Sequence, residues 1–69
     1  MFIVIEIQTN SDGTVGNLVW AYANENEAYS KYHSVLASAA ISNLPCHACV
    51  VLRNDGLQLA AQAYRHGDE

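Results

Sequence analysis

Asn24–Leu44, NENEAYSKYHSVLASAAISNL, is the stretch whose reading decides the fold, because it alone sustains a helical period. Asn24 is placed to accept a hydrogen bond from the backbone N–H of Glu27 while Glu27 reaches back, a capping box with Asn in first position. Glu25 and Glu27 add negative charge at the positive end of the helix. At about 100° per residue, Ala28, Tyr29, Tyr32, Val35, Leu36, Ala39 and Ala40 share one broad arc, wide enough to lie on a sheet. Pro45 disfavours helix at Leu44, so the pattern predicts an end near Ser42 or Asn43. The opposite face mixes Glu27, Ser30, Lys31, Ser34 and Ser38 with Ala37 and Ile41. Two readings of Ile41 stay open: cover by a neighbouring loop, or a subunit contact along the second half of the helix.

Outward from the helix, both flanks read as hairpins. Residues 2–9 alternate, with Ile3, Ile5 and Ile7 on one face and Phe2, Val4, Glu6 and Gln8 on the other. The isoleucines are expected to meet the helix. Asn10-Ser11-Asp12-Gly13 is turn chemistry, and a strand follows from about Thr14 to Tyr22, its face of Leu18, Trp20 and Tyr22 expected inside. After the helix, Cys46–Arg53 and Leu57–Arg65 flank Asn54-Asp55-Gly56. A two-residue Asp55-Gly56 loop puts Cys46, Ala48, Val50 and Leu52 on one face with Leu57, Leu59, Ala61 and Ala63, whereas a three-residue loop mixes glutamines into it. The first register is favoured because one side is then wholly apolar.

The order is therefore ββαββ, an α+β fold with a four-stranded, mainly antiparallel sheet and one helix packed on one face. It is read as one domain over residues 1–66, followed by a polar C-terminal tail at 67–69. One helix covers one side of a sheet. The other side is expected to expose Phe2, Val4, Cys49 and Val51 among Glu6, Gln8, His47, Arg53, Gln58, Gln62 and Tyr64, a patch that calls for a homodimer or higher symmetric oligomer.

Composition points the same way. A chain of 69 residues, 51% of them hydrophobic, has more apolar side chain than one small core can hide. The net charge of −4, with Lys31, Arg53 and Arg65 as the only strong bases, excludes general binding of DNA or RNA. Met1–Ile7 lacks a basic leader and is broken by Glu6 well short of a spanning length, so it reads as a strand rather than a signal or membrane anchor. The expected location is the cytoplasm, where Cys46 and Cys49 stay free thiols.

Three groupings invite chemistry. Cys46-His47-x-Cys49 has zinc-ligand residue types, but in a strand Cys46 points away from the other two and no second pair completes a site, so no metal is expected and Cys46 is assigned to the core. His47 and Cys49 share a face, as a base and a thiol nucleophile would, with no evident oxyanion donors beside them. Neither an enzyme nor a cofactor is expected. Tyr32-His33 and Tyr64-Arg65-His66, with His47 and Arg53, are suited to a nucleotide: rings stack on a base, and guanidinium or imidazole bonds phosphate oxygens. No glycine-rich phosphate loop accompanies them, so such a site must be assembled from side chains, with oligomer symmetry doubling a sparse basic set.

Lys31-Tyr32-His33, Val35-Leu36-Ala37, Ala39-Ala40, Pro45-x-His47, Asp55-Gly56 and Tyr64-Arg65-His66 together resemble a group of short uncharacterised proteins encoded in phages and prophages of Gram-positive bacteria. The resemblance spans nearly the whole chain, departing at Cys46 and Cys49, where the pattern has small aliphatic residues. It implies a phage accessory role in the host-cell cytoplasm, of the kind that counters host immunity by sequestering nucleotide signals such as cyclic ADP-ribose or cyclic oligonucleotide derivatives. The expected function is thus a non-enzymatic oligomeric binding protein with Tyr32, His33, His47, Arg53, Tyr64, Arg65 and His66 at inter-subunit pockets. The alternative is a protein-binding inhibitor or assembly factor that engages a host defence protein through its apolar sheet face.

Overall fold

Each hairpin closes on an Asp-Gly pair in which the aspartate, not the glycine alone, holds the loop. Asp12 Oδ1 accepts from the Thr14 N–H at 3.0 Å, and Asp55 Oδ1 accepts from the Leu57 N–H at 3.2 Å. Gly13 and Gly56 follow at φ 89° and 92°, the left-handed region that a Cβ disfavours. The computed structural model describes residues 1–66; the tail expected at 67–69 lies outside the described residues.

The strands that these loops join are β1 (Phe2–Thr9) with β2 (Val15–Tyr22), and β3 (Cys46–Arg53) with β4 (Gln58–Arg65), and between the hairpins lies α1 (Glu25–Ala39). The sheet order is β2-β1-β3-β4 with every neighbouring pair antiparallel. β2 and β3 consequently run parallel with β1 between them, and α1 carries the chain across that gap. The architecture is the expected α+β ββαββ sheet with a single helix.

The loop between β3 and β4 differs from the favoured reading in an informative way. Arg53 and Leu57 close it, with Arg53 N–H donating to Leu57 O at 2.8 Å, so Asn54, Asp55 and Gly56 form a three-residue loop. That length alone would displace β4 by one position. A bulge between Val51 and Leu52 takes up the difference: Leu52 pairs with Gln58 but Val51 with Ala60, leaving Leu59 as the extra residue. Beyond it, Val50 faces Ala61 and Ala48 faces Ala63, as a two-residue loop would have placed them.

Asn24 caps α1 by accepting from the N–H groups of Asn26 and Glu27, at 2.7 and 3.3 Å. The helix ends earlier than Pro45 suggests. Ile41 and Ser42 N–H donate to Ser38 and Ala39 O, three residues back, which tightens the last turn after Ala39. Ser42 Oγ then accepts from Leu44 N–H at 2.9 Å. Ile41 is left 85% exposed, so no loop among the described residues covers it.

Ala28, Tyr32, Val35 and Ala39 are buried against the sheet, with Tyr29 and Leu36 beside them, as the helical period predicts. The sheet, however, turns its other side to the helix. Val4, Cys49 and Val51 are fully buried there, Glu6 and His47 nearly so, with Phe2, Trp20 and Tyr22 packed against them. Ile3, Ile5, Ile7, Cys46, Ala48, Val50 and Leu52 lie on the open face instead. The expectation that the isoleucines and Cys46 would form the core is thus overturned. The physical reason is that Glu6 and His47 satisfy each other across the central strands, which removes the main penalty for burying their side.

The open face can be written as four rows across the sheet from β2 to β4: Val15, Thr9, Cys46, Arg65; then Asn17, Ile7, Ala48, Ala63; then Val19, Ile5, Val50, Ala61; then Ala21, Ile3, Leu52, Gln58. Its interior is apolar, and its one charged residue, Arg65, stands at a corner.

Candidate functional site

Alternation along β1 and β3 puts Glu6, Gln8, His47 and Cys49 on the helix side, where Glu6 pairs in register with Cys49 and Gln8 with His47. Glu6 Oε2 accepts from Gln8 Nε2 at 2.9 Å and from His47 Nε2 at 2.5 Å. The other ring nitrogen of His47, Nδ1, is buried with no hydrogen-bond partner among the described residues. Burial pushes the Glu6 carboxyl up, but the hydrogen bonds from Gln8 and His47 and the positive charges of His47 and Lys31 outweigh it, leaving its pKa below the usual glutamate value. Lys31 itself lies 4.1 Å over the Trp20 ring.

Cys49 sits beside this pair in a Cys-His-Glu grouping, yet it is fully buried, and that burial, with the nearby Glu6 carboxylate, pushes its thiol pKa up. A nucleophilic thiol needs the opposite: an exposed, electropositive setting that favours the thiolate. Cys46 is a free thiol half-buried on the far face. Among the described residues, no three His, Cys, Asp or Glu side chains gather to hold a metal ion.

The seven residues expected at a ligand site take different roles. Tyr32 is buried, edge-on to Tyr29 and His33, and burial raises its phenol pKa, with Cys49, Tyr29 and Tyr64 adding to it. His47 is committed to Glu6. His66 Nε2 donates to Ala39 O at 2.8 Å, satisfying a carbonyl at the C-terminus of α1, while its N–H donates to Pro45 O. Arg53 grips the loop, with Nε 3.0 Å from Asp55 Oδ1 and a second contact from Nη2 to Oδ2. It stands at the opposite end of β3 from His47, about 20 Å along the strand. His33 is exposed on the helix, Tyr64 is half-buried with its ring parallel to that of His66, and Arg65 is exposed on the other face. At the end of β4, Tyr64 and His66 stay together on the helix side while Arg65 between them turns to the open face, and one chain does not gather the full set.

Glu6, Gln8 and Lys31 are polar partners that residue-type reasoning missed. The available signal was Glu6 itself, an acid inside an otherwise apolar strand. An open groove of about 340 Å³, bounded by Tyr22, Glu27, Ser30, Lys31 and Ser34, runs between β2 and α1 and includes none of the seven. No helix among the described residues is long and apolar enough to cross a membrane. Compared with protein-family models, curated proteins and solved structures, the chain gives no match.

Proposed function

We propose that the protein is a non-enzymatic, self-associating phage accessory protein that counters host immunity by holding a small nucleotide-derived signal in pockets between copies. The carrying observation is a division of labour between the two sides of the sheet. Cys49 and His47, the one thiol and imidazole grouped as catalytic residues would be, are sealed under α1, while the opposite face is apolar and open with Arg65 at its corner. Burial of the first supports binding over catalysis. The second supports assembly, and pairing of copies would double Arg65 at the perimeter, with Tyr64 and His66 at the same end of β4 but on its helix side. A guanidinium suits phosphate and a tyrosine ring suits a base. Titration calorimetry with cyclic ADP-ribose isomers and cyclic oligonucleotides tests this reading. Saturable heat that disappears in Arg65→Ala supports it, and silence across the panel removes it.

The apolarity of the same face favours a second reading, a protein-binding inhibitor or assembly factor that engages a host enzyme. Pull-down from host lysate with one stoichiometric enzyme partner, lost when Ile5 is made charged, selects this reading over the first.

A further inference from the structure

We infer that the open face is the contact between two copies of this chain, packed sheet on sheet about a two-fold axis that runs along the strands between β1 and β3. The inference rests on the self-association proposed above and names its surface and geometry. Strands of eight residues in a four-stranded sheet make a face of about 27 by 19 Å, or roughly 500 Å² per copy. A pair then covers about 1,000 Å², the size at which specific interfaces begin.

Charge selects the occupant. Each copy carries a net charge of −4, and none of its described acidic residues lies on this face: Glu6 is under the helix, Asp12 and Asp55 are in loops, and Glu25 and Glu27 are on α1. Two copies therefore meet here with less repulsion than through the helix side.

Self-complementarity limits the axis. Ile3, Ile5 and Ile7 form a ridge along β1 that Val50 and Leu52 continue on β3, while Ala48, Ala61 and Ala63 leave a hollow at the Ala48 end of β3 and over β4. An isologous interface must fit itself. Rotation about an axis along the strands between β1 and β3 sets Ile3, Ile5 and Ile7 of each copy over Leu52, Val50 and Ala48 of the other, and Asn17 and Val19 of β2 over Ala63 and Ala61, so the apolar rows meet one another. The β4 edge is a poorer site for pairing, since it carries the bulge at Leu59 and ends in Arg65.

Size-exclusion chromatography with light scattering on the full chain at micromolar concentration tests this. The expected mass is twice the 7.5 kDa of one chain. Ile5→Glu, at the centre of the face, and Ala61→Glu, at a position exposed in the single chain, should each weaken the dimer by about 100-fold. Because Ala61 is exposed, its variant keeps the fold, which circular dichroism checks independently. Dimers that persist in both variants overturn this interface and leave self-association standing. A wild-type chain that runs as a monomer, its face free for some other protein, overturns both.

Discussion

His47 donates its Nε2–H to Glu6 Oε2 across 2.5 Å, a diagonal contact that ties the two central strands together beneath the helix. Gln8 donates to the same oxygen, and the register that aligns Val4 with Val51 brings all three side chains to one side. The pair decides which side of the sheet is core. Satisfied, it can be buried; broken, it leaves a charge under α1.

Removing one partner should therefore cost more than removing both. His47→Leu leaves the Glu6 carboxylate with Gln8 alone, and a stranded buried charge is expected to lose about 3 kcal/mol. Adding Glu6→Leu should recover most of that loss, since the double variant no longer buries a carboxylate stripped of its His47 partner. Urea unfolding of the two variants measures the difference. A double variant no more stable than the single one would show that the Glu6–His47 contact is not what sets the cost.

The same contact predicts acid sensitivity. The folded Glu6 carboxyl has a lowered pKa, so the unfolded chain takes up the proton first as pH falls. Its contribution is complete above the ordinary glutamate range and is lost as pH drops through the folded value. Asp12, held down by its bonds from Thr14, and Asp55, held at about 2 by Arg53, act in the same direction. The urea midpoint of the wild type should fall below about pH 4, and that of Glu6→Gln should fall less. Parallel curves would rule Glu6 out as a contributor.

Much of the fold was legible because its signals are local. Asn24 with Glu27, the two Asp-Gly turns and the arc from Ala28 to Ala39 each lie within a few residues and mark the helix and hairpins directly. The faces were not. Residues 6 and 47 are 41 apart in sequence, so their mutual satisfaction is invisible to alternation, which assigned the three isoleucines to the core on apolarity alone. Fold-back of β4 was half legible: the register was right beyond the bulge, while the loop length was not. Of the candidate site, the residue types were readable but their commitments were not, since His66 binding Ala39 O and Arg53 binding Asp55 need the folded ends.

The helix start offers a separable test. Asn24→Ala removes an acceptor shared by two N–H groups and is expected to cost about 1 kcal/mol, whereas Asn24→Gly should cost only a few tenths. In a domain this small, 1 kcal/mol corresponds to a thermal shift of about 4–8 °C. Equal melting temperatures for the two variants would argue against the cap.

Neighbouring residues of β3 give the sharpest check on which side is core. Val51 is fully buried and Val50 lies on the open face, so Val51→Asp should abolish folding while Val50→Asp keeps the helical and strand signal of a monomer. The two thiols repeat the contrast without a charge. Cys49 is sealed, with its pKa raised by burial, whereas Cys46 is half-buried on the open side. Under native conditions at dilutions that separate copies, iodoacetamide should modify Cys46 first, and peptide mass spectrometry reads which residue carries the label. Faster labelling of Cys49 would mean that the faces are reversed, and with them the buried Glu6–His47 pair and the isoleucine surface.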